Sequence, residues 1–390
     1  MSAVSRLIGP SRGEAAQFGV YVHVPWCRNL CPYCDFPVAV AGERDIPHHD
    51  YLAAIMAELD ERAADYAGRR LVSIYFGGGT PSLWRGDCLA RVIEAITGAF
   101  EARPGQLEIT IEANPTDCTE KNLPMWRVLG IDRLSIGVQS MDADKLVALG
   151  RDHRMGDGAA SVRAALTAGF PRVSADVIFG VPGARGRDES SVAGVADLGV
   201  GHMSVYELTI EERTAFGRAA RQGRLVAVDQ DILADMYVAA HRTLTERGYE
   251  HYEVSSYARP GQRSVHNQLY WRGVEYLGLG NGAASFRRFH RGGERITNHR
   301  SVRRYMRTKG ADRIASRDVL DARDVSNDAL WLGMRTVDGV PKDAFDELPR
   351  VRDWLLGERL ATLCNDRICP TLKGFLYCDR IASRVLGAWR

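Results

Sequence analysis

No apolar run in this 390-residue chain approaches the roughly 20 residues that a membrane-spanning helix needs. Neither sign of charge is in excess: 51 Lys and Arg stand against 49 Asp and Glu, a net charge of +2. That balance gives no reason to expect nucleic acid or an anionic membrane as an obligatory partner. The first sixteen residues, with Arg6 and Arg12, lack the long apolar stretch of a secretory signal. They read as a disordered lead-in, and the expected location is the cytoplasm. Eight cysteines do not imply disulfides in that reducing compartment. Low-complexity segments and internal repeats are also missing, apart from a strand–helix rhythm. What remains, 45% hydrophobic and 26% charged residues, is an ordinary globular composition with room for two or three domains.

Three cysteines stand together in Trp26-Cys27-Arg28-Asn29-Leu30-Cys31-Pro32-Tyr33-Cys34-Asp35-Phe36, a C-x3-C-x2-C spacing. Four-iron clusters usually take four cysteines. Three thiolates on one short loop hold three corners and leave one iron open to a small molecule binding through oxygen and nitrogen. The alternatives are a zinc site or three cysteines without a metal. Zinc is disfavoured because neither a His nor a fourth Cys follows at a zinc-ribbon spacing. Cys364, Cys369 and Cys378 match no common zinc or ferredoxin pattern, and read as small buried residues.

Short runs rich in Val, Ile, Tyr and Thr alternate with stretches of helical periodicity. The expected strands are Gly19–Val24, Leu71–Phe76, Leu107–Glu112, Arg133–Val138, Arg172–Phe179 and His202–Leu208. Repeated strand–helix alternation implies a parallel sheet, and six units imply a partial (β/α)6 barrel of the TIM type, open on one side. Chemistry then belongs at the C-terminal strand ends, where the cysteine loop follows the first strand. The expected organisation is a barrel over 17–250, a polar connector over 251–310 and a small accessory domain over 311–390. The last should be mostly helical and winged-helix-like, with helical pattern from about Asp318, a short β segment at Asp366–Thr371 and a final helix, Gly374 to Leu386.

Further motifs sit at successive strand ends. Gly77-Gly78-Gly79-Thr80 follows the second strand, where glycines let backbone approach a ligand closely. Taken alone it is better read as a plain turn. Glu112 ends the third strand and Gln139 the fourth, Arg151 follows, and Asp176 sits in the fifth. Each alone is more readily structural; as a series they read as ligand contacts, carboxylates for ribose or ammonium and Arg for a carboxylate. His266-Asn267-Gln268-Leu269-Tyr270-Trp271 lies in the connector. Its His suits an axial iron ligand and its aromatic rings a macrocycle. The residues by themselves favour a packing motif that seals the open side of the barrel.

These motifs, in this order, resemble the radical S-adenosylmethionine (SAM) superfamily, in the branch of the oxygen-independent coproporphyrinogen III oxidases (HemN) and the HemW heme chaperones. The resemblance runs over about residues 17 to 390 and is greatest to the chaperones. The oxidases usually carry a further Cys where Phe36 stands, and His266-Asn267-x-x-Tyr270-Trp271 looks like the HNxxYW motif linked to heme binding. The resemblance implies a [4Fe-4S] cluster on Cys27, Cys31 and Cys34. It implies SAM contacts from Tyr21, Tyr33, Gly78, Gly79, Thr80, Glu112, Gln139, Arg151 and Asp176. It reverses the packing reading of the connector motif, implying heme contacts from His266, Asn267, Tyr270 and Trp271. A heme-acceptor protein and an electron donor such as flavodoxin or ferredoxin are the implied partners. The alternative function is a radical enzyme that cleaves SAM, for porphyrinogen decarboxylation or for methyl transfer or cyclopropanation. There is one departure: related chains often read Pro-Gly-Ala-His-Ser where this chain has Asn281-Gly282-Ala283-Ala284-Ser285.

Overall fold

The computed structural model describes residues 15–183, 189–290 and 292–388. The expected disordered lead-in falls outside them except for its last two residues. Six parallel strands form as their patterns require: β1 (Gln17–Val24), β2 (Arg70–Gly78), β3 (Glu108–Ala113), β4 (Arg133–Gln139), β5 (Arg172–Phe179) and β6 (His202–Glu207). They pair in sequence order, each parallel to the next. Right-handed crossover through helices between parallel neighbours curls such a sheet into a barrel wall. Alternation sorts the side chains. Ile74 and Phe76, Ile109 and Ile111, Leu134 and Ile136 are buried in the hydrophobic core. Tyr75, Thr110, Glu112, Ser135 and Ser174, at the other parity, line the barrel interior.

The connector is more ordered than its composition suggests. Glu275–Leu279 pairs parallel to β1 as a seventh parallel strand, and Ala284–Phe289, Gly292–Asn298 and Ile314–Asp321 extend the sheet antiparallel beyond it. Helical pattern was expected from about Asp318, yet Ile314–Asp321 is a strand and the helix starts at Ala322, capped by Asp321. On the other flank, Glu250–Glu253 and Ser256–Ala258 form a hairpin against β6.

Val265–Trp271 is a helix, not a loop, and it plugs the N-terminal end of the barrel. Glu108, the first residue of β3, holds it there: one carboxylate oxygen accepts from the backbone N–H of Val265 at 2.9 Å and of His266 at 3.3 Å. The other accepts from Arg133 Nε at 2.9 Å. Arg133 in turn donates to the carbonyls of Gln262 and Arg263. A buried carboxylate against an arginine and a helix N-terminus is a compensated charge.

The C-terminal part packs helices Ala322–Gly333, Pro349–Gly357 and Cys378–Gly387 around Leu330, Phe345, Leu355, Ile368 and Ile381. Val340–Pro341, Ala361–Cys364 and Arg367–Pro370 make its small sheet. The short β segment is thus a hairpin strand. The final helical stretch breaks at Tyr377 into two helices, Leu372–Leu376 and Cys378–Gly387. Two backbone bonds, Val254 N–H to Arg335 O and Val337 N–H to Tyr252 O, tie this part to the barrel. Among the described residues no helix is long and apolar enough to cross a membrane.

Candidate cofactor site

A cavity of about 740 Å³ occupies the barrel interior, from the cysteine loop down to the plug helix. Cys27, Cys31 and Cys34 open onto its mouth, with Tyr33, Gly78, Gly79 and Thr80 beside them. Glu112, Gln139, Arg151 and Asp176 line its wall, and Asn267 its far end. Tyr21 lies behind the wall, its hydroxyl 3.0 Å from His23 Nδ1.

The loop that carries the thiols is fixed from several sides. Pro37 O accepts from His23 Nε2 at 3.2 Å and from Asn281 Nδ2 at 2.9 Å. Phe216 N–H reaches Pro32 O, and Gly150, at φ +63°, leaves room for the Pro32 ring. Tyr33 packs against a small apolar cluster of Leu149, Ile178, Val181 and Leu208. Arg28 pairs with the buried Asp117 at 2.6 Å. The adjacent glycine run has its own packing reason: a Cβ on Gly78 would fall 2.4 Å from the His23 ring, and one on Gly79 would fall 2.7 Å from the Pro25 carbonyl.

The thiols are spread wider than the ligands of one ion. Among the described residues, the three-donor group lying within 4.8 Å is His49, Asp87 and Cys88, not the loop cysteines. Asp87 in that group is already held by Arg85. Cys364, Cys369 and Cys378 form no such group. Separate corners of an iron–sulfur cluster suit thiols that do not converge on a point. Burial pushes the Cys27 thiol up to about 11, against a Thr80 hydroxyl bond at 3.5 Å, so a thiolate there calls for a metal partner. Arg151 Nη1 lies 3.7 Å from Cys31 Sγ, and its Nε, buried, has no protein partner.

Two acids face the cavity, neither in a direct ion pair among the described residues, with Arg151 acting on Asp176 across the cavity. Glu112 accepts from the Tyr75 hydroxyl at 2.7 Å and from Gly78 N–H at 3.1 Å. Burial raises its carboxyl to about 7, and Asp176 opposite adds to the shift. Burial likewise raises Asp176 to about 6, held back by the Ser204 and Ser135 hydroxyls. Buried carboxyls held by hydrogen bonds but not by an ion pair, one orphaned guanidinium nitrogen and three thiols at one mouth fit a cationic zwitterion beside a metal cluster. Gln139 sits among them at φ +62°, a conformation that side-chain-bearing residues rarely adopt.

Sequence reasoning missed Tyr75, Asn114, Tyr206 and Asn281. Tyr75 was accessible by period two, since Gly77 shares its face. Tyr206 lines the cavity one residue before the strand end at Glu207.

The connector motif behaves differently from the implied heme role. His266 is 1% exposed. Its Nδ1 is 2.8 Å from Ser73 Oγ and its Nε2 2.8 Å from Tyr270 Oη, so no ring nitrogen is open to an iron. Burial lowers it to about 3, leaving a neutral ring. Trp271 lies outside the barrel, under the Arg335 guanidinium at 4.9 Å. Ala284, at the departure from related chains, is not part of the cavity wall.

The radical SAM superfamily profile matches residues 21–192. The chain is 34% identical over 388 residues to a heme chaperone HemW of Mycobacterium tuberculosis, covering 97% of each. It is 36% identical over 271 residues to the heme chaperone HemW of Escherichia coli, covering 68% of each. The fold is similar to that of the E. coli coproporphyrinogen III oxidase HemN, described as a radical SAM enzyme. The TM-score is 0.77 at 22% identity, over 95% of this chain and 90% of that one.

Proposed function

The chain belongs to the HemW heme-chaperone family of the radical SAM superfamily, and from that premise we propose that it binds heme and delivers it to an acceptor protein while carrying a SAM-ligated [4Fe-4S] cluster. The observation that carries the cofactor half is the meeting of three thiols, one arginine and two buried carboxyls without an ion-pair partner in one cavity. The heme half rests on the relatives' printed names. A cluster held by three thiolates supplies an iron with a free coordination position and one-electron chemistry.

The residues divide the remaining work. Cys27, Cys31 and Cys34 would hold the cluster. Gly78, Gly79 and Thr80 would contact SAM at the mouth beside Tyr33. Glu112 and Asp176 would neutralise its ammonium and sulfonium charges and bond its hydroxyls, with Gln139 beside them. Arg151 would meet its carboxylate with the Nε left free. Tyr21 would act from behind the wall. For heme, Asn267 is the motif residue that reaches the cavity, whereas His266, Tyr270 and Trp271 would have to leave their present partners. A ferredoxin or flavodoxin would serve as electron donor. A reducing, cytoplasmic setting suits eight cysteines of which none is in a disulfide.

The test is anaerobic reconstitution with iron and sulfide, then titration with hemin, then addition of an apo-hemoprotein. Four irons per chain, a Soret band and its transfer to the acceptor are expected. A reconstituted protein with no Soret band excludes the chaperone reading. Accumulation of 5′-deoxyadenosine under dithionite would instead favour a radical enzyme, a reading the enclosed cavity also supports.

A further inference from the structure

The ring of His266 stacks on that of Tyr75, centroids 5.0 Å apart and 30° between planes. Tyr21 lies against both rings, 6.1 Å from that of Tyr75 and 6.4 Å from that of His266. The three rings form a triangle in which each touches the other two. The Tyr75 hydroxyl, at the far end, is the donor at 2.7 Å to Glu112 Oε1. His266 cannot slide within this stack. Ser73 Oγ and Tyr270 Oη hold its two nitrogens at 2.8 Å each, and Tyr270 meets its ring edge-on. The plug helix can approach this closely because β1 has glycine there: a Cβ on Gly19 would lie 2.6 Å from Leu269 Cδ1 and from Ser73 Oγ, and 3.1 Å from His266 Nδ1.

We propose that His266 is a positioning residue for the SAM site: from the floor of the barrel it fixes the Tyr75 ring, and through the Tyr75 hydroxyl it sets the orientation of Glu112. The inference rests on the SAM reading of the cavity and departs from the heme-ligand role that its motif implies. The neutral ring, with both nitrogens engaged and 1% exposure, is built to pack and orient. Asn267, the next residue, faces the cavity, so the helix presents one ring to the wall and one amide to the interior.

The experiment uses the reconstituted, cluster-loaded full chain. SAM binding is read from its perturbation of the reduced cluster's EPR signal, and heme binding from the Soret band. Tyr75→Phe removes the donor to Glu112 and keeps the stack. His266→Ala removes the stack and both bonds, and His266→Phe keeps a flat ring of similar size. Loss of one hydrogen bond to a buried carboxylate corresponds to roughly tenfold in affinity. Tyr75→Phe and His266→Ala should each weaken SAM by about that factor, and the double variant by no more than the worse single one, because both act on one bond. His266→Phe should recover most of the loss, and the Soret titration should be unchanged throughout.

The pH profile adds a readout that general loosening does not move. Glu112 is faced by Tyr75 and Gly78 N–H from β2, Asp176 from β5, Tyr206 from β6, Tyr21 from β1 and Tyr270 from the plug helix. The Tyr75 bond lowers the Glu112 carboxyl. Removing or misaligning it should move the midpoint of SAM binding to higher pH in both single variants. A His266→Ala protein with unchanged SAM affinity and midpoint, or one that loses the Soret band alone, overturns the positioning role. So does additive loss in the double variant, or a His266→Phe protein no better than His266→Ala. A wild-type protein that loads its cluster and ignores SAM overturns the SAM site itself, a failure visible before any variant is made.

Discussion

Arg151 Nη1 sits 3.7 Å from Cys31 Sγ while its Nη2 donates to Asn114 Oδ1 at 2.7 Å. One guanidinium thus joins the thiol loop to the end of β3. Nη2 also meets Gly137 O at 3.4 Å, so the group is aimed by the barrel rather than by the loop. A fixed cation beside a cluster thiolate favours the reduced, more negative cluster.

Arg151→Ala should therefore load iron normally but show a more negative cluster potential and a weaker response to SAM. Redox titration with EPR detection checks this. An unchanged potential would mean that Arg151 is screened from the cluster.

The two cavity acids predict a pH dependence. A cationic ligand between them prefers both ionised, and they titrate near 7 and 6. Binding of SAM should then displace protons below neutrality. Affinity should climb across about pH 6 to 7 and level off near 8. In the ligand-free protein the sign is opposite. Their folded values lie above the ordinary 4.5 and 3.8, so folding stability falls as pH rises from there to about 7. Glu112→Gln should raise ligand-free stability at pH 8 by on the order of 1–3 kcal/mol while weakening SAM binding. Denaturant melts at pH 5 and pH 8, with and without SAM, separate the two effects. A variant less stable than wild type at pH 8 would place Glu112 among the stabilising residues instead.

Much of this site is legible in the chain, because β1–β6 carry β-branched and aromatic residues packed in the core, alternating with the polar residues that line the cavity. The seventh parallel strand, Glu275–Leu279, is not legible, because Gly278 inside it and Gly273 and Gly280 beside it read as loop. Gly278 is there for a tertiary reason: a Cβ would meet the Ala284 carbonyl at 2.0 Å. Ile314–Asp321 is an exposed edge strand whose Arg317 and Asp318 obscure any apolar alternation. The connector motif admitted two readings from the sequence. Its residues favoured a packing role and the resemblance favoured a ligand, and the helix lies packed in the barrel floor. The placement depends on Glu108 and Arg133, which lie more than a hundred residues away in sequence, so no local pattern announces it.

The approach of that helix gives a third prediction. Gly19→Ala should push Leu269 and Ser73 aside, at a cost of roughly 1–3 kcal/mol for overpacking a filled interior. Cluster loading, which occurs at the opposite end of the barrel, should persist, and SAM affinity should fall. Iron content and SAM titration on the same sample test this. Unaltered SAM affinity would show that the floor and the Glu112 site are mechanically separate.

Asn281 supports the last prediction. It is fully buried and joins three segments. Its Nδ2 donates to Pro37 O at 2.9 Å and to Arg300 O at 3.0 Å, and its Oδ1 accepts from the Tyr51 hydroxyl at 2.9 Å. Pro37 stands three residues after Cys34, so this amide clamps the outgoing end of the cluster loop. Related chains often carry Pro here, and proline has neither the side-chain amide nor the backbone N–H that lies 3.3 Å from the Tyr51 oxygen. Asn281→Pro should leave the Arg300 carbonyl unsatisfied and destabilise the chain by about 2–4 kcal/mol. Release of the loop should also speed cluster loss to an iron chelator severalfold at a temperature where the fold remains intact by circular dichroism. Asn281→Asp, which keeps the Tyr51 bond but loses both donors, should fall between the two. If all three proteins lose iron at the same rate, the loop is held by its other contacts, from His23, Phe216, Gly150, Tyr33 and Arg28, and the amide serves only the seam between β1 and its seventh-strand neighbour.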